Sequence, residues 1–271
     1  MSISSKLEAA LGDLQKGGLS FFLSGMFSKV SRAKTVVVKL PGEGQVSVRP
    51  GQSDFFTVRQ VFISEDYHLW GSARERIDRE YERICANGMV PVIIDAGANI
   101  GAATIWLKRQ FPKASIVAVE PDPGNAAMTR GNVANLTDVI VLEAAIGGEP
   151  GFVTMVPTAH AWAVKTRRAD AGCEIITIDQ AVAMVPSGKL LMAKIDIEGF
   201  ESDLFDGDLR WMEDVSGVFI ERMTGCCLGR DQAEAFRQRS ANVISRFFCV
   251  AKIYFMCEEN RSLLETSCPG F

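Results

Sequence analysis

The stretch Val92-Ile93-Ile94-Asp95-Ala96-Gly97-Ala98-Asn99-Ile100-Gly101 decides how this chain is read. Three β-branched residues in a row predict a strand buried on both faces. Asp95 stands at its end, and the glycines that follow let the backbone turn sharply and let a ligand come close. The apolar pattern at 100–110 is helical and stops at Pro112. A strand that runs through a glycine loop into a helix points the first amides of that helix at the strand's carboxyl end. In open parallel sheets, that is where ligands bind.

The alternation continues downstream. Strands are predicted at 115–120, 139–144, 190–196, 218–221 and 250–256, and helices at 125–135 and 231–248. Short strands at 152–156 and 174–178 flank a polar, basic loop. Strands separated by helices of this length pair in parallel through right-handed crossovers, which gives an α/β fold. Upstream, 1–30 reads as one or two helices, with Ser5 as a cap and Leu7, Leu11 and Leu14 on one face. Phe21, Phe22 and Phe27 carry the apolar character past Gly17-Gly18. Packing against the domain or a second subunit is preferred for this segment over contact with a membrane surface. Runs at 35–40 and 45–49 around Pro41-Gly42-Glu43-Gly44 predict a hairpin. Ser53 starts a helix with Phe55, Val58, Val61 and Phe62 on one side, and 74–86 is an amphipathic surface helix. The chain therefore divides into an N-terminal helical and hairpin extension, 1–89, and an α/β domain, 90–271.

Bulk properties narrow the function. The 271 residues are 47% hydrophobic, enough for a substantial core, and the net charge of −4 shows no basic excess of the kind nucleic-acid binding requires. No run approaches the roughly 18 apolar residues of a membrane span. The apolar run at 19–27 follows a polar, acidic start without a cleavage-like site, so it is not read as a secretory signal. The seven cysteines are odd in number, irregularly spaced and without C-x-x-C. This predicts reduced thiols in a cytoplasmic protein and no zinc site.

Acidic residues at strand ends define the chemistry. Glu120 ends the second strand, where a carboxylate can accept hydrogen bonds from both ribose hydroxyls of a nucleoside. The fingerprint G-x-G-x-x-G is missing, because Asn99 stands where the middle glycine would. A pyrophosphate needs that glycine for close approach, whereas a ligand without phosphates does not. An acid at Asp95 suits a ligand carrying an amino group better than one carrying phosphates. Lys194-Ile195-Asp196-Ile197-Glu198-Gly199 ends a further strand, and Glu221 ends another. Carboxylates at the ends of apolar strands cost solvation unless they are paired or used. Helix capping by Asp196 or Glu198 is the plainer alternative.

Residues 95–101, Glu120-Pro121-Asp122-Pro123 and 194–201 resemble the FkbM-type methyltransferases. So does Arg49-Pro50-Gly51-Gln52-Ser53-Asp54, with Tyr67 beyond it. The resemblance runs from about Arg49 to the C-terminus. It implies the Rossmann-like class I methyltransferase fold, a seven-stranded, mostly parallel sheet with helices on both faces and an antiparallel last strand. It also implies S-adenosylmethionine as cofactor and an oxygen acceptor on a sugar, glycan or secondary metabolite. The family often has a histidine two places after the acid equivalent to Glu221. Met223 stands there, which weakens a base or metal role at that point.

By that resemblance, Gly97, Asn99 and Gly101 wrap the methionine part of the cofactor and Asp95 binds its amino group, directly or through water. Glu120 holds the ribose, Glu143 or the Ala144 backbone meets the adenine edge, and Asp196 lies nearest the methyl. Candidates for a general base are Asp196, Glu198, Glu221 and His160, with Asp196 first by position. A divalent metal on Asp196, Glu198 and Glu221 is a less favoured alternative, since no histidine-rich site accompanies them. Lys165, Arg167 and Arg168 near Trp162 suit an acidic acceptor, or simply a solvated loop. Two other readings compete: an NAD-dependent oxidoreductase, and a non-catalytic nucleoside-binding module of the same fold.

Overall fold

The computed structural model describes residues 3–42, 44–157, 164–197, 199–221 and 249–252. A helix α1 (Ile3–Val30), a hairpin of β1 (Val36–Lys39) and β2 (Gln45–Val48), and helices α2 (Asp54–Phe62) and α3 (Gly71–Ala86) come first. Then β3 (Val90–Ala96), α4 (Ala102–Gln110), β4 (Ser115–Val119), α5 (Pro123–Val133) and β5 (Val139–Leu142) alternate. Short strands β6 (Ala145–Ile146), β7 (Gly151–Pro157), β8 (Val164–Ala169) and β9 (Cys173–Ile176) lead to α6 (Ile178–Ala183). Next come β10 (Gly188–Ile195), α7 (Glu201–Asp206), α8 (Trp211–Asp214), β11 (Gly217–Glu221) and β12 (Cys249–Lys252).

Six of the strands form one sheet in the order β5-β4-β3-β10-β11-β12, and every neighbouring pair is parallel. The strand order reverses between β3 and β10, which makes a Rossmann-like α/β sheet with its switch point between those two strands. The described residues beyond β11 supply only β12, which runs parallel. The helix read at 231–248 and any strand beyond 252 lie outside the described residues.

Alternation along the strands explains the two-faced core. Ile93, Ile116 and Phe219 join one apolar cluster, while Val92, Ile94, Val117, Ala193, Ile195 and Ile220 join the other. The register slips between Leu190 and Met192, so Leu191 and Met192, though consecutive, fall in the same cluster. The central strands β3, β4 and β10 are buried on both sides, as uninterrupted apolar runs require. The first cluster also takes in Phe21, Val36, Val38, Val46 and Val48, which ties the N-terminal segment to the sheet. Asn132 of α5 holds the hairpin as well, donating to the Ser47 carbonyl at 3.0 Å and accepting from its amide at 2.7 Å.

One sequence expectation changes. The basic run after 157 is not a loop where it is described: Lys165, Arg167 and Arg168 lie on β8, paired antiparallel with β7. In α1, Leu11 and Leu14 of the leucine stripe are both exposed. Polar anchors turn the helix this way. Asp13 is buried and ion-paired with Arg59, and Lys16 donates to the Ile63 carbonyl at 2.8 Å. Gly18, with φ of 76°, breaks the helix into two halves, and the second is held by Phe21 against Phe55 at a ring distance of 5.2 Å.

Ile93 is fully buried at the centre of the sheet. Ile93→Ala is expected to cost about 2–5 kcal/mol in a denaturant titration. A loss below about 1 kcal/mol would mean that the strand is not central to the core.

Candidate active site

The carboxyl ends of β3 and β10 meet around one amino group. Lys194 and Asp95 are direct neighbours in the parallel register, on the same face of the sheet. Both are buried, and Lys194 Nζ stands 3.2 Å from Asp95 Oδ1. The same ammonium donates to the Gly97 carbonyl at 2.6 Å and the Ala96 carbonyl at 3.3 Å, and lies 3.6 Å from Asp196 Oδ2. The Tyr67 ring is 5.8 Å away. Thr104 of α4 donates to the other Asp95 oxygen at 2.6 Å. A lysine in an apolar strand costs desolvation that only such a full set of acceptors can offset.

The loop after β3 is closed by backbone contact. Gly97 has φ of 75°, and a Cβ there would lie 1.8 Å from the Asp196 carbonyl oxygen. Only glycine lets the two strand ends approach this closely. Asn99 also has a positive φ, 52°, a conformation asparagine tolerates better than most residues.

Glu120 organises the opposite wall. Its carboxylate accepts from the amides of Asn99 at 2.7 Å and Asp122 at 3.0 Å. The Gly97 and Ala98 amides are taken by the Val119 carbonyl at 2.9 and 3.1 Å. Thr129 fixes the far side of the loop by donating to the Asn99 carbonyl at 2.5 Å. Burial pushes the Glu120 carboxyl above its ordinary value, against the pull of these hydrogen bonds and of the Lys194 charge. Asn125 links this wall to the upstream motif. Its amide nitrogen reaches Glu120 at 3.5 Å, and its oxygen accepts from Arg49 at 2.6 Å. Arg49 is itself clamped on Asp54 through two side-chain bonds of 2.9 Å.

Asp196 keeps 28% of its side-chain surface, yet desolvation among the strand ends raises its pKa, with the Asp95 charge adding to the rise and Lys194 opposing it. Glu201, at the start of α7, is raised by burial and also by the charge of Asp196, and it accepts from the Gly199 amide at 3.2 Å. Glu201 had no place among the sequence candidates. Its signal was its position inside the 194–201 motif. Thr104 and Asn125 were likewise not singled out, and Lys194 and Tyr67 were quoted within motifs without a role, because their roles depend on which strands become neighbours.

The remaining candidates spread along the same edge. Gly101 is the left-handed cap of α4. Ala144 is buried, while Glu143 is exposed and 3.4 Å from Arg130. Cys173 lies near both Glu143 and Glu120, whose charges add to the effect of burial in raising its thiol. Glu221 ends β11 one residue past the Ile195–Ile220 pair. Glu198 and His160 lie outside the described residues, as does Met223. Arg168 is engaged elsewhere, by Asp203 at 2.9 Å and the Glu149 carbonyl at 3.0 Å. Among the described residues no group of three or more His, Cys, Asp or Glu could hold a metal ion.

No protein-family model matches the chain. A relative from Sordaria araneosa, "Methyltransferase sdnD", is 28% identical over 170 residues, covering 48% of this chain and 66% of that protein. A second, "Methyltransferase 1" of Beauveria bassiana (strain ARSEF 2860), is 26% identical over 203 residues, covering 60% of this chain and 81% of that protein. The chain thus spans just under two thirds of the first relative's length. Among solved structures, M. jannaschii TYW2 in complex with AdoMet overlaps 44% of this chain and 53% of its own, at 17% identity and a TM-score of 0.25. No assignment rests on so slight an overlap.

Lys194→Met should destabilise the fold by about 3–5 kcal/mol in chemical denaturation, because it strands Asp95 as a buried unpaired charge. The double variant Lys194→Met, Asp95→Leu should recover part of that loss. An additive double variant would show that the two groups are not coupled.

Proposed function

We propose that this chain is an S-adenosylmethionine-dependent methyltransferase. The observation that carries the reading is the charge of the crevice. Asp95 and Asp196 flank a buried lysine, Lys194, whose charge also reaches Glu120, and the charge of Asp196 reaches Glu201. Such a site suits a ligand with a sulfonium and an ammonium and opposes a pyrophosphate. The loop amides favour the same choice. Those of Gly97, Ala98 and Asn99 are already engaged by Val119 and Glu120, whereas a dinucleotide would need such amides for its phosphates. The two relatives named as methyltransferases support the reading, and the motif resemblance to FkbM-type enzymes agrees with it. The oxidoreductase alternative lacks support at these points.

The residues present fit the cofactor. Glu120 keeps acceptor capacity for a ribose hydroxyl beyond what it spends on Asn99, Asp122 and the long contact with Asn125. The 97–101 loop would border the methionine part, and Glu143, Ala144 and Cys173 the adenine edge. Asp95 has no exposed surface, so it would act through Lys194 as a positioning residue. The cofactor supplies an activated methyl on sulfur. The protein must bring the acceptor into line, exclude water and take one proton. Asp196 is the proposed base for a sugar, glycan or secondary-metabolite hydroxyl. Its raised pKa makes it a better proton acceptor than an ordinary aspartate.

The direct test is incubation of the protein and methyl-labelled S-adenosylmethionine with a panel of sugars and metabolites, followed by mass analysis of the acceptors. Label on an oxygen is the expected result, and no transfer to any class of acceptor would count against the reading. Glu120→Ala should weaken cofactor binding by about 1–3 kcal/mol in a calorimetric titration. Unchanged affinity would remove Glu120 from the site.

Asp196→Asn should lower turnover by about 10²–10⁴-fold. It should leave stability near neutral pH unchanged or higher, because a carboxyl whose folded pKa is raised favours folding at low pH and loses that contribution as pH rises through the folded value. The wild-type rate should fall as pH drops through the same raised value, since the base must be ionised. A flat profile there, or full activity in Asp196→Asn, would move the base elsewhere.

A further inference from the structure

The second half of α1 is apolar on both sides. Phe21 and Gly25 face inward, and Gly25 has no room for a side chain because a Cβ would lie 2.1 Å from the Phe55 ring. On the opposite side Leu19, Leu23, Met26, Phe27 and Val30 follow helical spacing, each more than half exposed. Inward packing therefore does not account for this stripe. A contiguous exposed apolar face of this kind marks an interaction surface.

The charge around the stripe indicates its partner. Residues 14–42 hold Lys16, Lys29, Arg32, Lys34 and Lys39 and no Asp or Glu, in a chain whose net charge is −4. Arg32, Lys34 and Lys39 are exposed just beyond the helix end. An open groove of about 630 Å³ adjoins the Gly18 break and is lined by Lys16, Ser20, Lys39 and Gln45 among others. Lys16 already serves Glu65 at 3.8 Å and the Ile63 carbonyl, so Lys39 is the charge this groove offers. We propose that the second half of α1 lies in the surface of an anionic lipid bilayer, with Leu19, Leu23, Met26, Phe27 and Val30 among the acyl chains and the basic segment at the headgroups.

A second copy fits less well. A two-fold contact through this face would bring together two copies of a segment, 14–42, that carries five basic residues and no acid. The contact is interfacial, since no described helix is long and apolar enough to cross a membrane. It is independent of the methyl-transfer reading and can fail or hold without it.

The test is co-sedimentation of the full chain with vesicles of phosphatidylcholine alone and of phosphatidylcholine with phosphatidylserine. Binding is expected to the anionic vesicles and to weaken as salt rises. Leu23→Glu, Phe27→Glu should abolish it, and Arg32→Ser, Lys34→Ser should lower affinity by roughly tenfold or more. These side chains are exposed, so an unchanged melting curve should accompany the loss. Equal binding to both vesicle types, or none, would overturn the proposal. So would a dimer in sedimentation velocity that Leu23→Glu, Phe27→Glu dissolves, which would give the face to a second copy.

Discussion

The buried ion pair between Lys194 and Asp95 is the constraint on which the site depends. It lies across the two strands where the sheet changes direction, and it turns a backbone junction into an electrostatic one. The lysine satisfies two carbonyls of the glycine loop while it neutralises one acid and approaches another. Remove the ammonium and Asp95 is left charged and buried, the loop loses its anchor, and Asp196 loses its counter-ion. Gly97 completes the junction, because any side chain would collide with the Asp196 backbone. Charge and fold at this junction are thus set by the same few atoms.

On the proposed reading, the arrangement makes a glycine loop of common appearance selective. Three of its amides point back into the protein, to Val119 and Glu120. A loop that uses its donors to hold its own shape keeps fewer of them for phosphate oxygens. Carboxylates dominate what remains, with their pKa values lifted by burial at Glu120, Asp196 and Glu201. Raised values mean that the free site holds these charges at a cost, which a cationic ligand would relieve.

The sheet was legible because its signals are local. Val92-Ile93-Ile94 and the apolar run ending at Ile195 became the central strands, and Asp122-Pro123 capped α5 as such a pair should. Asp95, Glu120 and Asp196 could be picked out as acids at strand ends. Lys194 as the hub could not, since its meaning comes from register with Asp95, and register is a property of two distant segments. The same limit hid Asn125 as the link between Arg49 and Glu120. The orientation of α1 was hidden for a related reason. A leucine stripe suggests an inward face, but the buried Asp13–Arg59 pair turns the helix the other way, and such a pair is visible only in three dimensions. Arg168 looked available to an acceptor until Asp203 appeared beside it.

The central claim is that this crevice is built for a cationic nucleoside ligand and not for a dinucleotide. Parallel calorimetric titrations with S-adenosylmethionine and with NAD test it most directly. Saturable binding of S-adenosylmethionine, with no heat from NAD, is the predicted result. Binding of NAD alone would contradict the account, because it would require phosphates to settle beside Asp196 and Glu201 against loop amides that are already engaged.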